Sequence, residues 1–113
     1  GPPTFHAAEV TPMPDAYVIV EMQISDPEQY TLYMAEAPAA VKAAGGEYVV
    51  RGGRSEVLEG EWQPGRLAML KFASIEAAKG WYDSERYRAA RSIRSGATSL
   101  FNMVVVEGVS APV

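Results

Sequence analysis

The chain is predicted to form an α+β domain: a four-stranded antiparallel sheet with two helices on one face, the second able to split. Three observations predict it. Strict alternation runs over Ala16 to Ile24, two stretches of helical spacing each follow a capping residue (Asp26 and Ser74), and a two-strand segment lies between them. The order is βαββαβ. Two βαβ halves joined by a hairpin, with right-handed crossovers, place both helices on the same side of the sheet.

Each element follows from local residues. Residues Gly1 to Asp15 contain Pro2, Pro3, Pro12 and Pro14 without periodicity, which predicts an extended arm; the opening Gly1-Pro2 is consistent with a tag remnant. In the first strand Ala16, Val18, Val20, Met22 and Ile24 share a core-type face, and Tyr17, Ile19, Glu21 and Gln23 share a mixed one. Asp26-Pro27-Glu28-Gln29 opens the first helix: Asp26 caps, Pro27 suits the first helical position, and Gln29 completes a capping pattern. Tyr30, Tyr33, Met34, Ala37, Val41 and Ala44 then form an apolar stripe, and Gly45-Gly46 stops the helix. Pro38 within it predicts a kink or break around Met34 to Pro38.

Glu47 to Arg51 is a short strand, and Gly52-Gly53 permits a bend or bulge before Arg54 to Glu59. Gly60 to Gly65 is a loop, and Arg66 to Phe72 is the next strand. Ser74 caps a helix through Trp81, Asp83-Ser84 restarts it to about Ser95, and Leu100 to Glu107 is the last strand. Residues 16–108 thus make one domain, with 109–113 as a tail.

Composition removes several function classes. The 113 residues carry no cysteine, which removes disulfides, thiolate nucleophiles and iron–sulfur ligation. A single histidine, His6, sits in the arm, so no metal site is expected. The net charge of −4 opposes nucleic acid as the main partner. No apolar run is long enough to span a membrane, and no leader pattern is present, giving a cytoplasmic protein by default. Nucleotide-binding glycine fingerprints are absent, and no cofactor is expected. One sheet face lacks helices; Ile19 or its neighbours and several of Met69, Met103 and Val105 are expected there, a surface that a homodimer would cover sheet against sheet.

Four ordered motifs, Asp26-Pro27-x-x-Tyr30, Arg51-Gly52-Gly53, Leu58-Glu59-Gly60-x-Trp62 and Trp81-Tyr82-x-Ser84-x-x-Tyr87, resemble those of the domain of unknown function 1330 family. The resemblance spans roughly Ala16 to Gly108. It implies a ferredoxin-like dimeric α/β barrel, with two sheets face to face and helices outside. More distantly, the chain resembles small cofactor-free muconolactone isomerases, polyketide cyclases and quinone-forming monooxygenases. Where the family usually has Pro after the Phe ending the third strand, this chain has Phe72-Ala73. Haem-handling relatives commonly use a histidine ligand, and only His6 could serve that role.

The candidate site rests on arginine and tyrosine. Arg86, Arg88, Arg91 and Arg94 crowd one helix; Ala89, Ala90, Ile93 and Ala97 are expected on its core face, with Tyr87, Arg91 and Arg94 on the flank at i, i+4 and i+7. Guanidinium groups hold carboxylates, enolates or phosphates, so Arg91 and Arg94 are candidate substrate-binding residues, or else a solvated face paired with Glu76, Glu85 or a partner chain. Arg51 is a further candidate, and it and Arg66 are placed for dimer contacts as much as for substrate; alternatively both pair with Glu59 and Glu61 across the hairpin. Without histidine or cysteine, proton transfer falls to tyrosine, carboxylates, lysine or water. Glu21, amid a strand, is the candidate base or acid, and Tyr82 or Tyr87 the hydrogen-bond donor; Lys71 is a weaker candidate. Trp62, Trp81, Tyr82 and Tyr87 offer aromatic walls, and the hydroxyls of Tyr30 and Tyr33 are candidates to reach the cavity margin. These residues point to cofactor-independent isomerisation, cyclisation or elimination on a small enolisable or aromatic carbonyl or carboxylate compound. The alternatives are a cofactor-free monooxygenase of quinol-like substrates and a non-catalytic dimeric binding module.

Overall fold

Alternation along β1 (Ala16–Ile24) makes it a central strand, because one of its faces is apolar enough to support a helical layer. In the computed structural model, which describes residues 14–110, the other elements are α1 (Pro27–Ala43), β2 (Glu47–Arg51), β3 (Arg66–Phe72), α2 (Ile75–Asp83), α3 (Glu85–Arg94) and β4 (Thr98–Glu107). The arm up to residue 13, with His6, and residues 111–113 lie outside the described residues. The sheet order is β2-β3-β1-β4 with every pair antiparallel, the ferredoxin-like arrangement.

Ala16, Val18, Val20 and Met22 of β1 are buried beneath the helices, beside Ala68, Leu70 and Phe72 of β3. Tyr30, Tyr33, Ala37, Ala40 and Val41 of α1 close over them, with Trp81 of α2 and Tyr87 and Ala90 of α3. Asp26 caps α1 by accepting from the Gln29 amide at 3.2 Å. The helix runs unbroken through Pro38, with none of the break expected there; burial of Ala37, Ala40 and Val41 around the proline holds that turn. Ser84 joins α2 to α3, its hydroxyl accepting from the Tyr87 amide (3.1 Å) and donating to the Trp81 carbonyl (2.7 Å).

Arg54 to Glu59 does not extend the sheet. The reason is Gly52, whose φ of +68° turns the chain away from β3 although its amide still donates to the Leu67 carbonyl at 2.8 Å. Residues 53–65 then run as a loop carrying an exposed Leu58 and Trp62.

The uncovered sheet face also departs from expectation. Val105 and Met103 lie opposite Val18 and Val20, so both face the helices and pack against the core. The open face carries Ile19 and Met69, as expected, together with Tyr17 and Glu21 of β1, Leu67 of β3, and Asn102, Val104 and Val106 of β4. Ile19, Met69 and Val104 help line a broad hollow of about 410 Å³ there, with Trp62 at its margin.

Candidate functional site

Between the helical layer and the sheet lies a narrow slot. Its free space is about 20 Å³, roughly the room for a water molecule. Val20, Met22, Ala68 and Met103 floor it, Tyr30, Tyr33 and Met34 of α1 roof it, and Tyr48, Arg51, Arg66, Trp81, Tyr87 and Phe101 complete the wall. A second hollow of about 190 Å³ lies by Val18, Trp81, Tyr82, Met103 and Val105.

The helix α3 turns Tyr87 fully into the core rather than onto a flank, and leaves Ala89 exposed. The cause is long-range. The Tyr87 hydroxyl meets the Tyr33 hydroxyl of α1 at 2.8 Å, and the ring stacks on Trp81 with centroids 4.2 Å apart. Arg94, two turns on, donates from Nη1 to the Tyr87 oxygen at 3.0 Å and lays its guanidinium 3.6 Å from the Phe101 ring centre.

Three donors feed this trio and only two phenol oxygens receive them. Whichever hydroxyl donates to the other, one phenolic O–H at the slot stays without an acceptor among the described residues. Two more donors share that condition: Arg66 Nε and Trp81 Nε1 are buried without a partner among the described residues, and both side chains line the slot. Buried donors of this kind cost about 1–3 kcal/mol each if nothing receives them.

Arg66 owes its position to a missing side chain. A Cβ on Gly52 would stand 2.2 Å from Arg66 Nη1 and 2.4 Å from its Cζ, so only glycine leaves room for the guanidinium. The Arg66 guanidinium carbon lies 5.6 Å from the Tyr30 ring centre, and that of Arg51 lies 4.8 Å from Tyr48. Among the described residues no carboxylate forms an ion pair with Arg51, Arg66, Arg91 or Arg94; the ion pairs there join Arg54 to Glu56 and Lys71 to Asp15 and Glu47. The hairpin pairing of Arg51 and Arg66 with Glu59 and Glu61 is therefore not seen.

The phenols stay protonated. Burial raises Tyr33 well above the ordinary phenol range, reinforced by Tyr87 and only partly opposed by Arg94. Burial pushes Tyr48 up to about 12, and raises Tyr87 against the pull of its Tyr33 hydrogen bond and of Arg94. The slot thus offers positive charge and hydrogen-bond donors, and its lining holds no carboxylate.

The expected site residues divide into three places. Arg51 and Tyr87 line the slot, and Arg94 reaches it through Tyr87. Tyr82 and Arg91 stack together outside the slot wall, the guanidinium carbon 4.1 Å from the ring centre. Glu21 and Trp62 lie across the sheet on the open face, where the indole Nε1 donates to Glu21 Oε2 at 3.1 Å. Odd-numbered residues of β1 point away from the helices, so the sheet itself separates Glu21 from the tyrosines and arginines it was expected to join. Tyr48, which the sequence does not single out, also lines the slot, and so does Arg66. Its available signal was phase: Arg66 alternates in step with Ala68, Leu70 and Phe72, so an arginine stands in line with core residues.

An antiparallel ferredoxin-like sheet with a donor-lined slot under its helices defines a class of small α+β domains. The chain belongs to the family described as domain of unknown function (DUF1330), whose model matches residues 15–109. No curated protein matches it. Among solved structures it is similar to a protein of unknown function from Rhodopseudomonas palustris (15% identity, TM-score 0.72, covering 86% of this chain and 84% of that one). It is also similar to a dimeric ferredoxin-like protein of unknown function from Jannaschia sp. (11% identity, TM-score 0.63, 83% and 99%). A third likeness is to a putative antibiotic biosynthesis monooxygenase from Caulobacter crescentus (15% identity, TM-score 0.57, 93% and 99%). At these identities the likeness is one of fold. No helix among the described residues is long and apolar enough to cross a membrane.

Proposed function

We propose that the chain is a homodimeric enzyme, working without a cofactor, that binds a small enolisable carbonyl or carboxylate compound in the slot and moves protons on it. The reaction is an isomerisation, cyclisation or elimination. The observation that carries this reading is the set of buried donors without partners, Arg66 Nε, Trp81 Nε1 and one phenolic O–H, on residues lining one slot. Donors fixed in a water-poor site stabilise an enolate more than the neutral carbonyl from which it forms, which lowers the barrier to its formation. With Glu21 on the far face and no carboxylate in the slot lining, water takes the substrate's proton; in an isomerisation water returns one to a different atom, in a cyclisation the enolate carbon attacks a second carbonyl whose oxygen takes a proton from water, and in an elimination the enolate's electrons expel the leaving group. Met34 and Met103, long and unbranched, swing aside to admit a ligand larger than the free space.

Arg94→Ala should lower turnover by well over tenfold in a screen of small keto acids, enolisable lactones and aromatic ketones; unchanged kinetics would remove the Arg94–Tyr87–Tyr33 trio from the mechanism. The dimer is supported by the apolar open face and by the dimeric state of the Jannaschia relative. Sedimentation of the wild type as a dimer and of Val104→Asp as a monomer tests it, and a monomeric wild type refutes it.

Likeness to the Caulobacter protein favours a second reading, oxygenation of a quinol-like substrate whose bound anion itself reduces dioxygen. Anaerobic assay separates the two, since proton transfer continues without oxygen. In a non-catalytic assembly module the four arginines would pair with carboxylates, an arrangement opposed by their stacking on tyrosine and phenylalanine rings.

A further inference from the structure

The donors around the slot fall into two groups. Arg66, Met22 and Phe101 form a row across β3, β1 and β4, Met22 pairing with both of the others. Neighbouring strands lie about 4.8 Å apart, so the backbones of Arg66 and Phe101 are about 10 Å apart. The guanidinium of Arg66 stands over Tyr30 at one side, and that of Arg94 stands over Phe101 at the other. Between them run Met22 and the rings of Tyr30 and Tyr33, whose centroids are 5.7 Å apart. Neither guanidinium has a carboxylate partner among the described residues.

Two unneutralised cations flanking an uncharged strip describe their ligand. We infer that the slot takes a short-chain molecule with two oxygen-bearing ends, a carboxylate and a second carboxylate or carbonyl a few bonds away. This rests on the reading of the slot as the substrate site. Arg66, aided by Arg51, receives one end in charge-assisted hydrogen bonds. The free phenolic O–H, backed by Arg94, receives the other. A ligand with one such group leaves one end of the slot with a half-buried guanidinium and no counter-charge, so it forgoes one set of charge-assisted hydrogen bonds and binds less tightly.

The test is calorimetric titration of the full chain with succinate and with butyrate, which share a four-carbon skeleton and differ in the second carboxylate. Succinate should bind at least tenfold more tightly. Arg66→Gln and Arg94→Gln should each bring succinate close to the butyrate level, with Arg66→Lys retaining part of the preference; circular dichroism melts establish that each variant is folded. Butyrate binding as tightly as succinate overturns the two-ended ligand and leaves the anion site standing. A wild-type chain that takes up neither acid, nor inorganic phosphate, overturns the anion site as well.

Discussion

Gly52→Ala tests the link between backbone and site most directly. At φ +68° the alanine enters a left-handed conformation that costs a residue with a Cβ about 1–2 kcal/mol. Its Cβ would stand 2.2 Å from Arg66 Nη1, too close for any contact, and the guanidinium is the movable partner. Once displaced, Arg66 loses its stacking on Tyr30, worth about 0.5–1 kcal/mol. The sum is about 2 kcal/mol of stability, or about 10 °C in Tm for a domain of this size. Succinate affinity should fall about tenfold in the same variant, because the donor has left the slot. Gly53→Ala is the control: a Cβ there meets nothing within 4 Å, and its stability should stay within about 0.5 kcal/mol of wild type. Thermal melts and calorimetry on the two variants decide the matter. A Gly52→Ala chain that melts with the wild type and binds succinate equally would refute the argument that this glycine makes room for the guanidinium.

A second glycine and the buried phenols can be tested in the same way. In Gly46→Ala the new Cβ would lie 2.5 Å from the ring of Phe72, which is 1% exposed and packed on Trp81, so the domain should lose about 1–3 kcal/mol; an unchanged urea midpoint contradicts it. Tyr33, Tyr48 and Tyr87 all have raised pKa values in the fold, so the unfolded chain ionises first as pH rises. Their contribution is complete below about pH 10, the unfolded value, and is lost as pH climbs towards 12. Melting temperature against pH, with phenolate absorbance at about 295 nm, should show that these three phenols titrate later than the exposed ones.

Local signals carried much of the fold. Asp26 with Gln29, Ser74 and Ser84 state helix starts through side chains that cap the next turn, and β1 states its faces by strict alternation. Where alternation fails, so does the reading. In β4, Phe101 and the run from Met103 to Val106 are apolar on both faces, and only register against Val18 and Val20 tells which residues meet the helices. The site was less legible for a similar reason. Tyr87 is drawn into the core by a hydroxyl 54 positions away, a contact no helical wheel contains. Glu21 is the opposite case: its parity relative to Val20 and Met22 already places it on the far face.

A cleft furnished with guanidinium groups and phenols and without carboxylates has a consequence for how the protein responds to acidity. Guanidinium groups keep their protons throughout the physiological range, and the buried phenols keep theirs into alkali. The rate of a reaction run there would follow the ionisation of the bound molecule, so the midpoint of the activity curve would move with each substrate and rise when the positive charge of Arg66 or Arg94 is removed.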